Sequence, residues 1–314
     1  MTSKLFIAVA TIVLFSALIA VQKPFNAELR QMEAVPITDA VGPESVAFDP
    51  LGDGPYVGVS DGRIIKWQEN EHRWIDFGTT SRNREGCLGQ EEQICGRPLG
   101  ICFSEATADL YIADAYMGLL RLGPQGGFAT PIATHADAIP FRFTNSLDIN
   151  QSDGSIYFTD SSSLFQRRNY ISVILSGDKT GRLLKYEQGS QQVTVLLTNL
   201  SFPNGVALSK DGSFLVFSDT TNCRILRVKI VTWILSCPKL GRGLIWLVPV
   251  EVITRAYSVL LKLRGSGMAM RISEEGEVLE TLELKMSSMS EVQEKGDHLW
   301  IGSINLPFLG RYRL

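Results

Sequence analysis

Asn204 lies in a segment that would hold its amide side chain in one direction. It stands in SFPNGVALS, where Pro203 fixes φ and Gly205 relaxes the backbone, and this pair predicts a tight turn. A side chain held in this way can face a binding site. The alternative is that Asn204, like Asn145 in NSLDI, only caps its turn, as asparagine often does.

Three other positions carry side chains with reactive potential. Glu44, in GPESVAFD, places a carboxylate in an apolar segment, which is costly unless the charge is paired or bound to a metal. His135, in ATHADAIPFRF, is the one candidate general base, and a surface loop is the alternative for it. The segment GVSDG matches the Gly-x-Ser-x-Gly nucleophile pattern, but it lies in a β-turn between strands rather than in a strand-turn-helix unit, so we do not assign a nucleophile there.

Composition and charge limit the class of protein. The chain has 314 residues, of which 45% are hydrophobic and 20% charged, so it can bury a large core. A net charge of −3 and the lack of a block rich in Lys and Arg argue against nucleic acid as a partner. An apolar run at residues 5–21 predicts entry into the secretory route and offers a route of membrane attachment. Residues 1–27 are interpreted as a cleaved signal peptide or a retained signal anchor, and residues 28–314 as one β-propeller domain, which the repeats predict.

The secretory route permits disulfides and glycans. Cys87 and Cys95 flank the polar loop LGQEEQI and are predicted to close it as a disulfide, with two free thiols as the alternative. Asn150 and Asn199 each begin an Asn-x-Ser triplet and are glycosylation acceptors by sequence.

A repeated unit predicts the fold. Each copy has an apolar strand, a turn such as Asp-Gly, a second strand that ends in a small or acidic residue, and a third strand. Copies begin at Gly42, Arg97, Asn145 and Phe202, with a further copy at the C-terminus, and a spacing of about fifty residues is typical of propeller blades. Residues 228–263 lack the turn and the strand pair, so we predict an incomplete or irregular blade there.

Local pairings within the repeats follow from the same pattern. Asp114 and Asp160 stand at strand ends and are predicted to cap turns rather than do chemistry. Arg182 is predicted to pair with the nearby Asp178.

Several long motifs resemble one family. CGRPLG, LYIADAYMGL, DKTGRLLKYE, PNGVALSKDG and SEVQEKGDHLWIGS look like the plant strictosidine-synthase-like proteins, which are related to adipocyte plasma membrane-associated protein and, more remotely, to paraoxonase-type calcium-dependent lactonases. The resemblance implies an all-β, six-bladed β-propeller with its site at one end of the central channel. It also implies a small-molecule substrate and a vacuolar location, with the ER lumen or membrane as alternatives; it leaves the oligomeric state open.

The resemblance also bears on the type of reaction. True strictosidine synthases use a glutamate as the acid/base, and the matching run here, MSEVQE, places Ser290 at that position. A serine hydroxyl does not exchange a proton near neutral pH as a carboxyl does. Glu291 is one residue away and is expected to face the opposite side of its strand, so strictosidine synthesis is disfavoured.

The lactonase relatives hold a calcium ion in the channel. The resemblance maps their glutamate to Glu44 and two of their asparagines to Asn145 and Asn204, a set of hard oxygen ligands that suits calcium. The usual Asp-Asn pair of the next blade falls in residues 228–263 and is not found there. The leading expectation is a calcium-assisted hydrolase of esters or lactones, and the alternative is a non-catalytic or degenerate propeller that binds a ligand.

Overall fold

The protein folds as an all-β propeller in the computed structural model, which describes residues 32–82, 84, 87, 91–222, 224–228, 267–272 and 278–314. Within those ranges, no helix combines the length and the apolar character needed to cross a membrane. The predicted signal or anchor at residues 1–27 lies outside the described residues.

Four blades follow one another along the first part of the chain. Blade 1 contains β2 (Val46–Ala47), β3 (Tyr56–Gly58), β4 (Arg63–Gln68) and β5 (Arg73–Thr79), joined in parallel by β9 (Gly127–Phe128). Blade 2 contains β6 (Pro98–Phe103), β7 (Leu110–Asp114), β8 (Gly118–Leu122) and β10 (Thr130–Ala133). Blade 3 contains β13 (Thr144–Ile149), β14 (Ile156–Asp160), β15 (Gly181–Glu187) and β16 (Gln192–Leu200). Blade 4 contains β17 (Pro203–Leu208), β18 (Leu215–Asp219) and β19 (Arg224–Val228).

Blade 5 closes the ring with both ends of the domain. Its strands are β22 (Met289–Lys295), β23 (His298–Ser303), β24 (Phe308–Arg313) and, from the start of the domain, β1 (Glu33–Pro36). β1 pairs antiparallel with β24, so that Glu33 lies opposite Arg311. Strand pairing between the two ends of the domain therefore holds blade 5 together.

The predicted count of six blades is wrong for the described part of the chain, which forms five. Each of the five sequence repeats becomes one blade, and β20 (Gly267–Ile272) and β21 (Val278–Leu284) form only a two-stranded sheet. The segment predicted to be an irregular blade, residues 228–263, lies outside the described residues beyond Val228.

Short elements decorate the propeller. Helix α1 (Glu92–Cys95) precedes blade 2, and the predicted disulfide between Cys87 and Cys95 is confirmed. A 3-10 helix (Arg167–Asn169) leads into α2 (Tyr170–Ser176) between β14 and β15. The hairpin of β11 (His135–Ala136) and β12 (Ile139–Pro140) separates blades 2 and 3.

The core is a ring of apolar clusters between neighbouring blades, because each blade can bury its faces only against the next one. Ile64 of blade 1 packs with Ile112 of blade 2, and Leu119 of blade 2 packs with Phe158 of blade 3. Val173 of α2 is fully buried in a further cluster that includes residues from blade 2 and from the entries to blades 3 and 4. This packing fixes the inner strands around a common axis.

A buried aspartate at the end of the second strand fixes the start of the inner strand in three blades. Asp114, Asp160 and Asp219 are fully buried, and each accepts a backbone N–H from the residue that leads into its own blade: Arg97 at 2.7 Å, Phe143 at 2.9 Å and Ser201 at 2.6 Å. The predicted capping role of Asp114 and Asp160 is confirmed. The predicted partner of Arg182 is wrong, because its Nη2 lies 2.6 Å from Asp160 Oδ2, while Asp178 accepts hydrogen bonds from Ser162 and Thr180.

Candidate functional site

A cavity of about 790 Å³ lies where the inner strands converge. It is lined by residues from all five blades, among them Glu44, Asn145, Asn204, Ser290 and Glu291. The three residues predicted as metal ligands are therefore brought together in one cavity. His135 is exposed on β11 and is not among the residues that line it.

The inner strands of blades 2 to 5 share a break in pairing near their first residues. The register shifts lie between Pro98 and Gly100 in β6, Thr144 and Leu147 in β13, Pro203 and Val206 in β17, and Met289 and Val292 in β22. Bulges redirect side chains and are common beside functional sites. Asn145, Asn204, Ser290 and Glu291 all fall inside these breaks, which we call the inner bulges.

The Asn145 amide is oriented by a chain of hydrogen bonds. Its side chain is buried, and Nδ2 donates to Ser161 Oγ at 2.9 Å. Ser161 Oγ in turn donates to the carbonyl oxygen of Pro203 at 2.7 Å. Blade 3 is thus linked to blade 4 beside the cavity, and the amide nitrogen of Asn145 is partly engaged.

Asn204 lies in a strand rather than in the predicted turn. It belongs to β17, and its carbonyl oxygen accepts a hydrogen bond from Thr159 Oγ1 at 2.8 Å. The side chain is half-buried and lines the cavity, and no partner in the described part of the chain holds its amide. The prediction of a tight turn at Asn204 is therefore wrong. The side chain nevertheless faces the channel, as predicted, because the inner bulge turns it that way.

Glu44 is held by two guanidinium groups. Its Oε2 lies 3.0 Å from Arg97 Nη2 and 3.6 Å from Arg167 Nη2. Arg97 is completely buried and also donates from Nη1 to the Gly42 carbonyl oxygen at 2.8 Å. The cost of burying the Glu44 carboxylate is therefore offset by ion pairs, one of the two alternatives that its apolar setting required.

Glu92 of α1 completes this cluster. Its Oε1 lies 2.6 Å from Arg167 Nη1 and 3.7 Å from Arg97 Nε, and its Oε2 accepts a hydrogen bond from the Tyr116 hydroxyl at 3.1 Å. Burial and the neighbouring Glu92 charge raise the pKa of Tyr116 to about 12, so this phenol stays protonated at neutral pH. We call Glu44, Glu92, Arg97 and Arg167 the rim network.

Ser290 serves as a link between the last and first blades. Its Oγ donates to the carbonyl oxygen of Glu44 at 2.6 Å, which joins β22 to the segment that enters blade 1. This hydroxyl is therefore a structural donor in the position that the resemblance assigns to a catalytic glutamate.

Glu291 lines the cavity, so the expectation that it faces away is wrong. The alternation of side chains along a strand does not continue through a bulge, and Glu291 lies inside one. Burial raises the pKa of Glu291 to about 7, and the charges of Asp148 and Glu44 act in the same direction. Hydrogen bonds from the Ser45 hydroxyl and the Val46 N–H lower the pKa but do not cancel the rise.

Sequence reasoning missed several further polar residues of the cavity, and two of them, Cys102 and Asp148, contact each other. Asp148 Oδ2 accepts the Leu208 N–H at 2.7 Å, and Cys102 Sγ lies 3.8 Å from Asp148 Oδ1. Burial raises the pKa of both groups, so the thiol is protonated at neutral pH and is a poor nucleophile. The acidic residue three positions after Asn145 in NSLDI was the available signal for Asp148.

The cavity does not present a ready calcium site. Within the described residues, no group of three or more His, Cys, Asp or Glu side chains is placed to hold a metal. Calcium takes six to eight oxygen ligands, and the one carboxylate of the predicted set, Glu44, already faces two cations. Calcium is therefore not shown here, and Glu44 could bind it only by sharing or losing its ion pairs with Arg97 and Arg167.

Comparisons with known proteins agree with the motifs. The family model described as strictosidine synthase matches residues 145–232, and that described as strictosidine synthase-like, N-terminal, matches residues 24–67. Protein STRICTOSIDINE SYNTHASE-LIKE 2 of Arabidopsis thaliana is 45% identical over 91% of this chain and 90% of its own length. Protein STRICTOSIDINE SYNTHASE-LIKE 10 of the same plant is 44% identical over 90% of this chain and 88% of its own length.

Solved structures share the fold at low identity. A gluconolactonase from Xanthomonas campestris aligns with a TM-score of 0.58 and 13% identity, covering 94% of this chain and 93% of its own. A calcium-binding protein, regucalcin, from Agrobacterium tumefaciens aligns with a TM-score of 0.61 and 14% identity, covering 90% of this chain and 93% of its own. At this identity the likeness concerns the propeller architecture.

Proposed function

The chain belongs to the strictosidine synthase-like family, and on that premise we propose that it hydrolyses small esters or lactones in the channel cavity. The observation that carries the proposal is the set of inner bulges, which place the Glu291 carboxyl and the Asn145 and Asn204 amides on the walls of one cavity. The fold that the chain shares with a gluconolactonase supports the substrate class.

Glu291 is the general base of the proposed reaction. A base works best when its pKa is near the working pH, and a pKa of about 7 satisfies this condition. Glu291 takes a proton from a water molecule as the water oxygen attacks the carbonyl carbon. When the tetrahedral intermediate collapses and its C–O bond breaks, the same carboxyl returns the proton to the leaving alkoxide.

Asn204 is the proposed donor to the developing oxyanion. Its amide has no partner in the described part of the chain, so its N–H groups are free to point at a substrate oxygen. Asn145 has less freedom because its Nδ2 already donates to Ser161, and we assign it to substrate positioning.

Calcium assistance is the competing form of this proposal. It is supported by the fold shared with a calcium-binding regucalcin and opposed by the ion pairs of Glu44. We route no step of the reaction through a metal.

The test is the hydrolysis rate of a panel of aryl esters and lactones by the full chain between pH 5 and 9. We expect kcat/KM to rise with pH around pH 7 and to fall by about 100-fold or more in Glu291→Gln, the range that general bases supply. Glu105→Gln is the matched control, because Glu105 also lines the cavity but is exposed and has no assigned role. Full activity in Glu291→Gln, or activity lost in chelator and restored by calcium, would contradict the metal-free reaction.

A second function, a ligand-binding propeller without catalysis, is favoured by the rim network. Its charges satisfy one another, which is what a structural cluster requires. Saturable binding of lactones by calorimetry, with no turnover of any ester or lactone, would support this function over hydrolysis.

The activity assays should also test strictosidine synthesis. The argument against it rested on Ser290 and on Glu291 facing away, and only the first part stands. Incubation with tryptamine and secologanin therefore tests whether Glu291 can serve that reaction, and we expect no product because its position differs from that of the synthase glutamate.

We also propose that the protein travels through the secretory route to the vacuole. The Cys87–Cys95 disulfide supports an oxidising compartment, as does the apolar run at residues 5–21. Microscopy of a C-terminal fluorescent fusion tests the location, and treatment with a glycosidase tests the glycans proposed for Asn150 and Asn199.

A further inference from the structure

The rim network is balanced in charge and buried at its centre. Two carboxylates, Glu44 and Glu92, face two guanidinium groups, Arg97 and Arg167, and Arg167 Nη1 lies 2.6 Å from Glu92 Oε1. The exposed fraction of the side chain is 0% for Arg97, 11% for Glu44, 17% for Arg167 and 21% for Glu92. Little solvent is therefore available to screen these charges, and each carboxylate depends on the arginines.

The network joins parts of the chain that are far apart in sequence. Glu44 precedes blade 1, Glu92 belongs to α1 beside the disulfide, Arg97 precedes blade 2, and Arg167 comes from the insertion between β14 and β15. Arg97 also donates to the carbonyl oxygens of Gly42, which lies before blade 1, and of Ile304, which lies between β23 and β24 of blade 5. The buried Arg97 guanidinium thus contacts blade 5 and the segment that leads into blade 1, the two blades that meet where the ring closes.

A divalent cation bound by Glu44 would lie beside two fixed positive charges. Arg97 Nη2 and Arg167 Nη2 both approach the same oxygen, Glu44 Oε2, so the metal would have to displace them or share that oxygen with them. Displacing Arg97 would leave its buried guanidinium with only the more distant Glu92, 3.7 Å from Nε, as a counter-charge, which is unfavourable. The positive charge that neutralises Glu44 therefore comes from two arginine side chains of the protein itself.

We propose that Arg97 and Arg167 take the place of a metal ion in this propeller, neutralising Glu44 and tying the blade entries together without calcium. The proposal does not depend on hydrolysis, because it concerns what holds the blade entries together in the folded protein. It leaves the Asn204 amide available to a substrate rather than to an ion, while Asn145 Nδ2 stays bound to Ser161.

The first test is the thermal unfolding of the full chain in chelator and in millimolar calcium. We expect the same Tm in both. If calcium were a resident ligand at a hundredfold excess over its Kd, it would raise the folding equilibrium constant about 100-fold, and the Tm would rise with it. A calcium-dependent rise in Tm that disappears in Glu44→Gln would overturn the proposal.

The second test measures the coupling between Glu44 and Arg167 with a double-mutant cycle. We expect Arg167→Met and Glu44→Gln each to lower the folding equilibrium constant at least tenfold, and the double variant to lose much less than the product of the two effects. Arg168→Met is the matched control, because Arg168 lies on the same 3-10 helix but is exposed and pairs with the neutral Gln93. Independent effects of Arg167 and Glu44 would contradict a network that replaces a metal.

The calcium test uses the wild-type chain, so a variant that fails to fold does not remove it. If calcium does not change the Tm of the wild-type chain, that result alone supports the proposal.

Discussion

Glu291 should make the stability of this protein fall as the pH rises from about 5 to about 7. Burial and the negative charges of Asp148 and Glu44 raise its pKa from an ordinary value of 4.5 to about 7 in the folded chain, against hydrogen bonds from Ser45 and the Val46 N–H. Cys102, which also faces this part of the cavity, stays neutral over that range because burial raises its pKa. The folded state therefore holds a proton that the unfolded state has already released.

The sign and size of the effect follow from this difference. Below pH 4.5 Glu291 is protonated in both states, and its contribution to stability is fully present. Between pH 4.5 and about 7 only the folded state keeps the proton, so the free energy of unfolding falls by about 1.4 kcal/mol per pH unit from this group. The total loss is about 3 kcal/mol, and it is complete above the folded pKa.

The measurement compares urea unfolding of the wild-type chain and of Glu291→Gln at pH 5, 6, 7 and 8. Other groups titrate in both proteins, so the informative quantity is the difference between their two pH profiles. We expect Glu291→Gln to lack the decline and to gain up to about 3 kcal/mol relative to the wild type between pH 5 and 8. Parallel profiles would refute the placement of Glu291 in a desolvated, negatively charged part of the cavity.

Three further changes test the fold. Arg182→Met leaves the buried Asp160 carboxylate without the guanidinium 2.6 Å away, and urea unfolding should show a loss of about 3–5 kcal/mol; a loss below about 1 kcal/mol would contradict a buried pair. Replacing both Cys87 and Cys95, which are eight positions apart, with serine should lower the free energy of unfolding by about 2.5 kcal/mol, because the unfolded chain regains loop-closure entropy. A lower Tm would show this loss, and an unchanged Tm would mean that other contacts hold the loop. Phe158 has 0% exposure and packs between blades 2 and 3, so Phe158→Ala should lower the free energy of unfolding measured by calorimetry by about 3–5 kcal/mol. Phe158→Leu is the milder control, and equal losses in the two variants would contradict a cavity effect.

The propeller was predictable because its information is local and repeated. Each sequence repeat carries its own strands and turns, and the five repeats became five blades. The sixth blade came from the family resemblance and had no repeat of its own in the sequence. The closure of the ring by β1 was not predictable in the same way, since the pairing of Glu33 with Arg311 joins opposite ends of the domain.

The residues of the cavity were predictable in part. Glu44, Asn145 and Asn204 stand at equivalent places in their repeats, so the symmetry of the fold gathers them in one cavity. The partners of Glu44 were missed because Arg97 lies 53 positions away, and no local pattern links a charge to a partner at that distance. An arginine just before the apolar segment PLGICF was the available signal for Arg97, but sequence alone does not say which carboxylate it meets.

The prediction that Glu291 faces away from the channel was wrong for a general reason, and the same reason explains the location of the site. Regular alternation assigns every second side chain of a strand to one face, and it holds only while the pairing register is constant. The register shifts near the first residues of the inner strands of blades 2 to 5. In blades 2 to 4 this is the end where Asp114, Asp160 and Asp219 fix the incoming chain. In blade 5 the bulge of β22 directs toward the channel the Glu291 side chain, which regular alternation would turn away from it. The positions most able to do chemistry in this fold are therefore those where period-two reasoning is least reliable.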